Sequence, residues 1–258
     1  LEGDTIKVGW AKKSLIPTEP VPLAGYGARK GANFEGVDDT VFVKAVVFDN
    51  EITKAAYVSM DLLIVPPNLD HEKILDQLSF EVDNLYLTAS HTHSSIGGYL
   101  EGLAGKIFGG EYSENILEFI TNKTILALEE AYYNKEKSKI GYGRIYASNF
   151  VTNRLVGDSI GTYDPFIRLI KINTESGKNA AIFSYAAHAT CYGHKQRDLS
   201  GDYPGTLTSM LEMTREIDFA VYGAGAVGSM SPRTKSVEGG KRVKEISYGL
   251  FEKIYEGF

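Results

Sequence analysis

The 258 residues carry 27 Lys and Arg against 33 Asp and Glu, a formal charge of −6, with 43% hydrophobic and 23% charged side chains, the composition of an ordinary globular chain. Disorder and collagen are excluded, and no apolar run approaches the roughly 18–20 residues of a membrane span; the longest, Ala180–Ala189 and Phe219–Val227, are broken by Ser, His, Tyr or Gly. The acidic balance and dispersed cations argue against a nucleic-acid partner, and the single cysteine, Cys191, permits neither an intrachain disulfide nor a Cys-rich zinc site.

Short runs rich in β-branched and aromatic residues, bounded by Gly, Asp or Asn, alternate with amphipathic stretches. In chain order the strands expected are Thr5–Trp10, Thr40–Phe48, Lys54–Met60, Asn84–Ala89, Ser138–Tyr146, Phe166–Ile172, Asn179–Ala187 and Asp218–Tyr222. Interleaved with them are helices over Asn68–Leu78, Ser113–Tyr133, Thr206–Thr214 and Val243–Tyr255. In the second helix Leu117, Ile120, Thr124, Leu128 and Ala131 recur at steps of three and four and mark one buried stripe. Gly25–Gly36 reads as a glycine-rich loop. The fold class is therefore mixed α/β, with enough strands for two sheets.

The most informative stretch runs from Asn84 into His91-Thr-His93 and then Gly97-Gly98. Period two along a strand would place both imidazoles on one face, and the glycines would let a ligand approach the backbone. A second apolar strand, Ala181–Ala187, also delivers a histidine, His188. Neutral imidazole is a preferred zinc donor, so His91 and His188 are the candidate metal ligands, the alternative being hydrogen-bonded structural histidines. Asp61, at the end of another strand, is a candidate to orient one of them, or more simply a cap. Two metallohydrolase patterns fail: H-x-H-x-D-H would need Asp and His where Ser95 and Ile96 stand, and the ligands of an amidohydrolase barrel find no counterpart. Gly223-Ala-Gly225-Ala-Val-Gly228 spells G-x-G-x-x-G, but Pro232 stands where the following helix should be established. That segment reads as a turn presenting Ser231, and Cys191 as a small buried residue.

His91-Thr-His93-Ser-Ser-Ile-Gly-Gly-Tyr, Ala187-His188-Ala-Thr and Gly228-Ser-Met-Ser231-Pro232, in this order, resemble the neutral/alkaline, non-lysosomal ceramidases. Val8-Gly9-Trp10-Ala11, Leu23-Ala-Gly25-Tyr26, Val58-Ser59-Met60-Asp61, Asn153-Arg154 and Ser200-Gly201-Asp202 are similar to further short motifs of that family. The resemblance implies two central β-sheets flanked by helices, and zinc-dependent hydrolysis of the ceramide amide to a fatty acid and a sphingoid base. It implies His91 and His188 as zinc ligands, His93 and Ser231 at the reaction centre, and Arg154 on the substrate, with Gly97 and Gly98 lining the approach. The chain departs from the family pattern at Ser229, Arg233, Asp38 and Asp39, and at Leu155-Val156 after Asn153-Arg154. Residues 1–258 are expected to form a single ceramidase-like catalytic domain. It is expected to be incomplete at its C-terminal end, because the family takes a Glu and a Tyr ligand from beyond the Ser-Pro motif and Tyr248, Glu252 and Tyr255 match neither. A lipid-like N-acyl substrate, peripheral contact with a membrane surface, no integral span, and a secreted or periplasmic location are expectations of the same kind. The alternatives are a hydrolase of another N-acyl amide or ester on the same scaffold, and a binding module without a complete metal site.

Overall fold

The eight runs with strand character all become strands, and all eight join one sheet. The computed structural model describes residues 6–257. Its longer strands are β1 (Ile6–Ser14), β3 (Phe42–Asp49), β4 (Lys54–Met60), β5 (Asn84–Ala89), β6 (Glu136–Tyr146), β8 (Phe166–Thr174), β9 (Asn179–Tyr185) and β11 (Phe219–Ala224). The short strands are β2 (Gly36–Val37), β7 (Val151–Asn153), β10 (Asp198–Leu199) and β12 (Met230–Pro232). The helices are α1 (His71–Asp76), α2 (Gly102–Gly109), α3 (Glu114–Tyr133), α4 (Asp202–Glu212) and α5 (Gly239–Glu256). The expected start of the first strand, Thr5, lies outside the described residues.

The large sheet has the order β11-β9-β8-β6-β1-β3-β4-β5, and two two-stranded sheets, β10-β2 and β12-β7, stand beside it. Within it only β4–β5 and β9–β11 are parallel. The mixed α/β class is as expected, but one continuous sheet takes the place of two central ones. The sheet curls so that its halves face each other. Val8 and Val46 from one half meet Ile182, Phe219 and Val221 from the other, and Trp10 stacks on Phe219 with ring centroids 6.1 Å apart. Toward one end the halves diverge around an open cavity of about 930 Å³ between Tyr57, Tyr86, Phe183 and Gly223. Edge strand β11 lies against β3 and β4 of the opposite half. Its unpaired carbonyls at Ala220 and Tyr222 accept from Lys44 Nζ (2.8 Å) and Ser59 Oγ (2.5 Å), which removes an exposed sheet edge.

Helices close both outer faces. Leu117, Ile120 and Leu128 of α3 bury against Ala11, Val43, Ala45 and Val47. At Gly9 a β-carbon would sit 2.1 Å from Ala131 O, so the glycine sets how closely α3 lies on β1. On the other face Leu207, Leu211, Val243, Ile246 and Leu250 of α4 and α5 cover Leu169, Phe183 and Ala220. Helix α4 begins at Asp202, earlier than expected, and carries Pro204 in its first turn, where backbone N–H groups have no partner within the helix. This topology brings the C-terminal ends of the parallel pair members β5 and β9, and the turn after β11, to one place.

Candidate metal centre

Strand β5 ends at Ala89, and His91 adopts a left-handed φ of +62°, a conformation that costs a non-glycine residue free energy and collects at functional sites. The pleat alternation expected to align His91 and His93 therefore does not operate: a turn brings the two rings together, edge to face with centroids 5.1 Å apart. His188 follows β9 and completes the group, 4.4 Å from the His91 ring and 4.9 Å from that of His93. One ligand atom from each of the three lies within 4.8 Å of the others.

Each ring is oriented in the same way. His91 Nδ1 lies 2.6 Å from Leu63 O, His93 Nδ1 3.1 Å from Gly25 O, and His188 Nδ1 3.0 Å from Val227 O. A carbonyl oxygen only accepts, so each Nδ1 carries the hydrogen and each neutral ring has a bare Nε2. Burial lowers the basicity of all three: His93 falls to about 3, with His188 and His91 as further causes, and His188 to about 4. The consequence is electrostatic. His93 Nε2 and His188 Nε2 stand 2.9 Å apart with two lone pairs and no proton between them, a repulsion that a cation in the cluster relieves. Three neutral imidazole nitrogens with fixed tautomers are a donor set that fits zinc.

The backbone around the histidines is pinned from below. Thr92 Oγ1 donates to Ser200 O (2.8 Å), and Ser200 N donates to Ser94 O (2.7 Å). Asp39 accepts from Ser200 Oγ and from Gly201 N (2.8 Å). Gly25, at φ +109°, brings its carbonyl under His93 because a β-carbon there would meet His93 Cβ at 2.6 Å.

The other residues singled out from the sequence are placed as follows. Arg154 follows β7 and chelates Gly228 O through Nε (3.0 Å) and Nη2 (2.8 Å), and its charge helps to depress His91 and His188. Ser231 lies in β12 opposite Thr152, in the segment that begins with the Val227 carbonyl; no hydrogen bond joins its side chain to the histidines among the described residues. Gly97 and Gly98 are buried and face the chain's own backbone: their N–H groups donate to Pro22 O (2.6 Å) and Gly109 O (2.7 Å). A β-carbon on Gly97 would sit 2.2 Å from Gly109 O, so packing requires this glycine. Asp61 accepts from Phe42 N (2.9 Å), the capping alternative of the two, and the carbonyls of Leu63, Gly25 and Val227 orient the rings. The G-x-G-x-x-G segment ends β11 and enters a single 3₁₀ turn, with no nucleotide-binding helix. Cys191 is buried. No sequence signal distinguishes the three orienting carbonyls, since every residue type has one.

A family model described as neutral/alkaline non-lysosomal ceramidase, N-terminal, matches residues 16–241. Neutral ceramidase A of Dictyostelium discoideum is 24% identical over 248 residues, covering 85% of this chain and 34% of that protein. The neutral ceramidase of Drosophila melanogaster is 24% identical over 228 residues, 81% of this chain and 32% of the relative. The chain thus spans about a third of the length of these relatives. The crystal structure of neutral ceramidase from Pseudomonas aeruginosa superposes with a TM-score of 0.86 at 21% identity, over 99% of this chain and 45% of the other, and shares the fold.

Proposed function

The chain belongs to the neutral/alkaline non-lysosomal ceramidase family, and on that premise we propose that it carries the zinc-binding histidines of a hydrolase that cleaves the amide of ceramide, releasing a fatty acid and a sphingoid base. The observation that carries this reading is the convergence of three histidines whose Nδ1 hydrogens are all committed to carbonyls, leaving Nε2 lone pairs facing one another. His91 and His188 would hold the metal. Bound there, zinc supplies Lewis-acid polarisation of the acyl carbonyl and a more acidic water.

The chain's own residues supply the rest. His93 Nε2 accepts the proton lost by the attacking water and returns it to the leaving nitrogen as the C–N bond breaks, so the amine departs neutral. Arg154, held by Gly228 O, presents a fixed positive charge toward the substrate, and Ser231 positions the acyl carbonyl. A lipid-like substrate is supported by the apolar surroundings. Leu63, whose carbonyl orients His91, lines a cavity of about 460 Å³ with Ile64, Pro67, Leu100 and Phe108. Leu103 and Ile107 on α2, and Leu155, Val156 and Ile160 beyond Arg154, are exposed, which suits peripheral contact with a membrane surface. Among the described residues no helix is long and apolar enough to cross a membrane. Work outside the cytoplasm, by a secreted or periplasmic protein, is part of the same proposal.

The test is hydrolysis of a paired substrate set, N-acyl sphingoid bases and N-acyl amines of equal chain length without the sphingoid head, by the zinc-supplemented protein and by His91→Ala. Preferential cleavage of the sphingoid series, lost in His91→Ala, is the expected result. Equal cleavage of both series would point to a broader amide hydrolase, and zinc-independent cleavage would overturn the mechanism.

A further inference from the structure

Arg29 is 95% buried, since only 5% of its surface is exposed, and no carboxylate forms an ion pair with it among the described residues. Burying a guanidinium without a counter-ion is costly unless its donors are satisfied. Here all five N–H directions are used. Nη1 donates to Ala24 O (2.8 Å) and to His93 O (2.5 Å), Nη2 to Ser94 Oγ (3.3 Å) and Gln196 O (3.1 Å), and Nε to His194 O (3.3 Å). These acceptors come from three separate segments: the loop after β1, the His91–Ser94 turn, and the loop that follows His188.

The pairing at Nη1 is the informative feature. One nitrogen joins the carbonyl of Ala24 to that of His93 itself, while the next carbonyl along, Gly25 O, receives the His93 ring hydrogen. The guanidinium also lies 4.9 Å over the Tyr26 ring, which in turn packs against the His93 ring at 5.0 Å. Gly25 and Tyr26 thus both bear on the His93 ring, and Arg29 fixes the Ala24–Tyr26 tripeptide against the His93 backbone. Desolvation lowers the Arg29 pKa only to about 10, so it remains charged at neutral pH.

We propose that Arg29 is the positioning residue of His93: by clamping Ala24 to His93 it holds the His93 Nδ1–H on Gly25 O and keeps Nε2 aimed at His188. His188 is oriented independently by Val227, and His91 by Leu63. The clamp is therefore selective for one of the three rings. Lysine cannot replace it, because an ammonium has three donors and no planar fork to span five acceptors. The inference rests on the histidine cluster and extends the proposed function, in which His93 moves the proton.

The test is long-range 1H–15N correlation of the histidine rings in metal-free protein, comparing wild type with Arg29→Lys and Arg29→Met. Because it reads tautomers, its failure is separable from failure of the ceramide reading. The expected result is loss of the single Nδ1–H tautomer at His93 in both variants, with His188 and His91 unchanged, and recovery in Arg29→Met on adding methylguanidinium. On amide substrate, kcat is expected to fall about 10- to 100-fold with KM nearly constant. An unchanged His93 tautomer in either folded variant would overturn the proposal. Equal disorder at all three rings, or failure of both variants to fold, would also overturn it by making Arg29 a general stability element.

Discussion

A histidine ring offers a free lone pair, to a metal or to a proton, when something takes the hydrogen of its other nitrogen, and at His91, His93 and His188 that partner is a main-chain oxygen. His91 and His188 are legible in the sequence because apolar strands run into them. Leu63, Gly25 and Val227 are not, because a carbonyl leaves no mark on residue type, and Arg29 is hidden in what reads as a glycine-rich loop. Gly25 is the position where this support is most easily broken. A methyl group there would stand 2.6 Å from His93 Cβ on a backbone at φ +109°. Gly25→Ala is expected to cost about 1–3 kcal/mol in urea unfolding and to displace His93 more than His188 in the ring spectra. A neutral stability change with an unaltered His93 signal would contradict the assignment.

Among the elements, strands were readable wherever β-branched and aromatic residues cluster, so β4 and β5 match their expected bounds and the other large-sheet strands differ at their ends. Helix α2 was not, because Gly102, Gly105 and Gly109 break any helical pattern; Gly105 is there because a side chain would strike Leu100 O at 2.3 Å. The stripe on α3 was readable, and Leu128 within it is fully buried. Leu128→Ala is expected to cost roughly 2–5 kcal/mol, measured by denaturant midpoint. The segment entering α4 carries a pH signature. Burial raises the Asp39 pKa from 3.8 to about 7, against the pull of Ser200 and Gly201. The fold thus favours the protonated acid, so the stability Asp39 contributes is complete below pH 4 and is lost as pH rises through about 7. In urea titrations from pH 4 to 8, wild type minus Asp39→Asn is expected to decline over that window and then level off; a flat difference would contradict it.

The curl of the whole sheet is the feature least visible in sequence, since strand periodicity says which face is apolar and not which strand is the neighbour. One buried ion pair holds the two halves where they meet. Lys44 on β3 is bonded to Glu212 at the end of α4 (2.9 Å) and to Ala220 O on β11, and Glu212 also pairs with Lys12 (2.5 Å). Burial lowers the Lys44 pKa while Glu212 opposes that shift. Glu212→Gln, which leaves the ammonium buried without its counter-ion, is expected to destabilise by roughly 3–5 kcal/mol, and Lys44→Met with Glu212→Gln to recover part of that loss. The same curl delivers His91 and His188 from opposite halves of the molecule to one point, so a metal held between them would report on the fold and the site together. The most direct measurement is zinc content by elemental analysis of the purified, folded protein beside His91→Ala and His188→Ala. Bound zinc that falls to background in both variants is the expected result; a full-length, folded protein without zinc, or zinc retained at full occupancy in both variants, would contradict it.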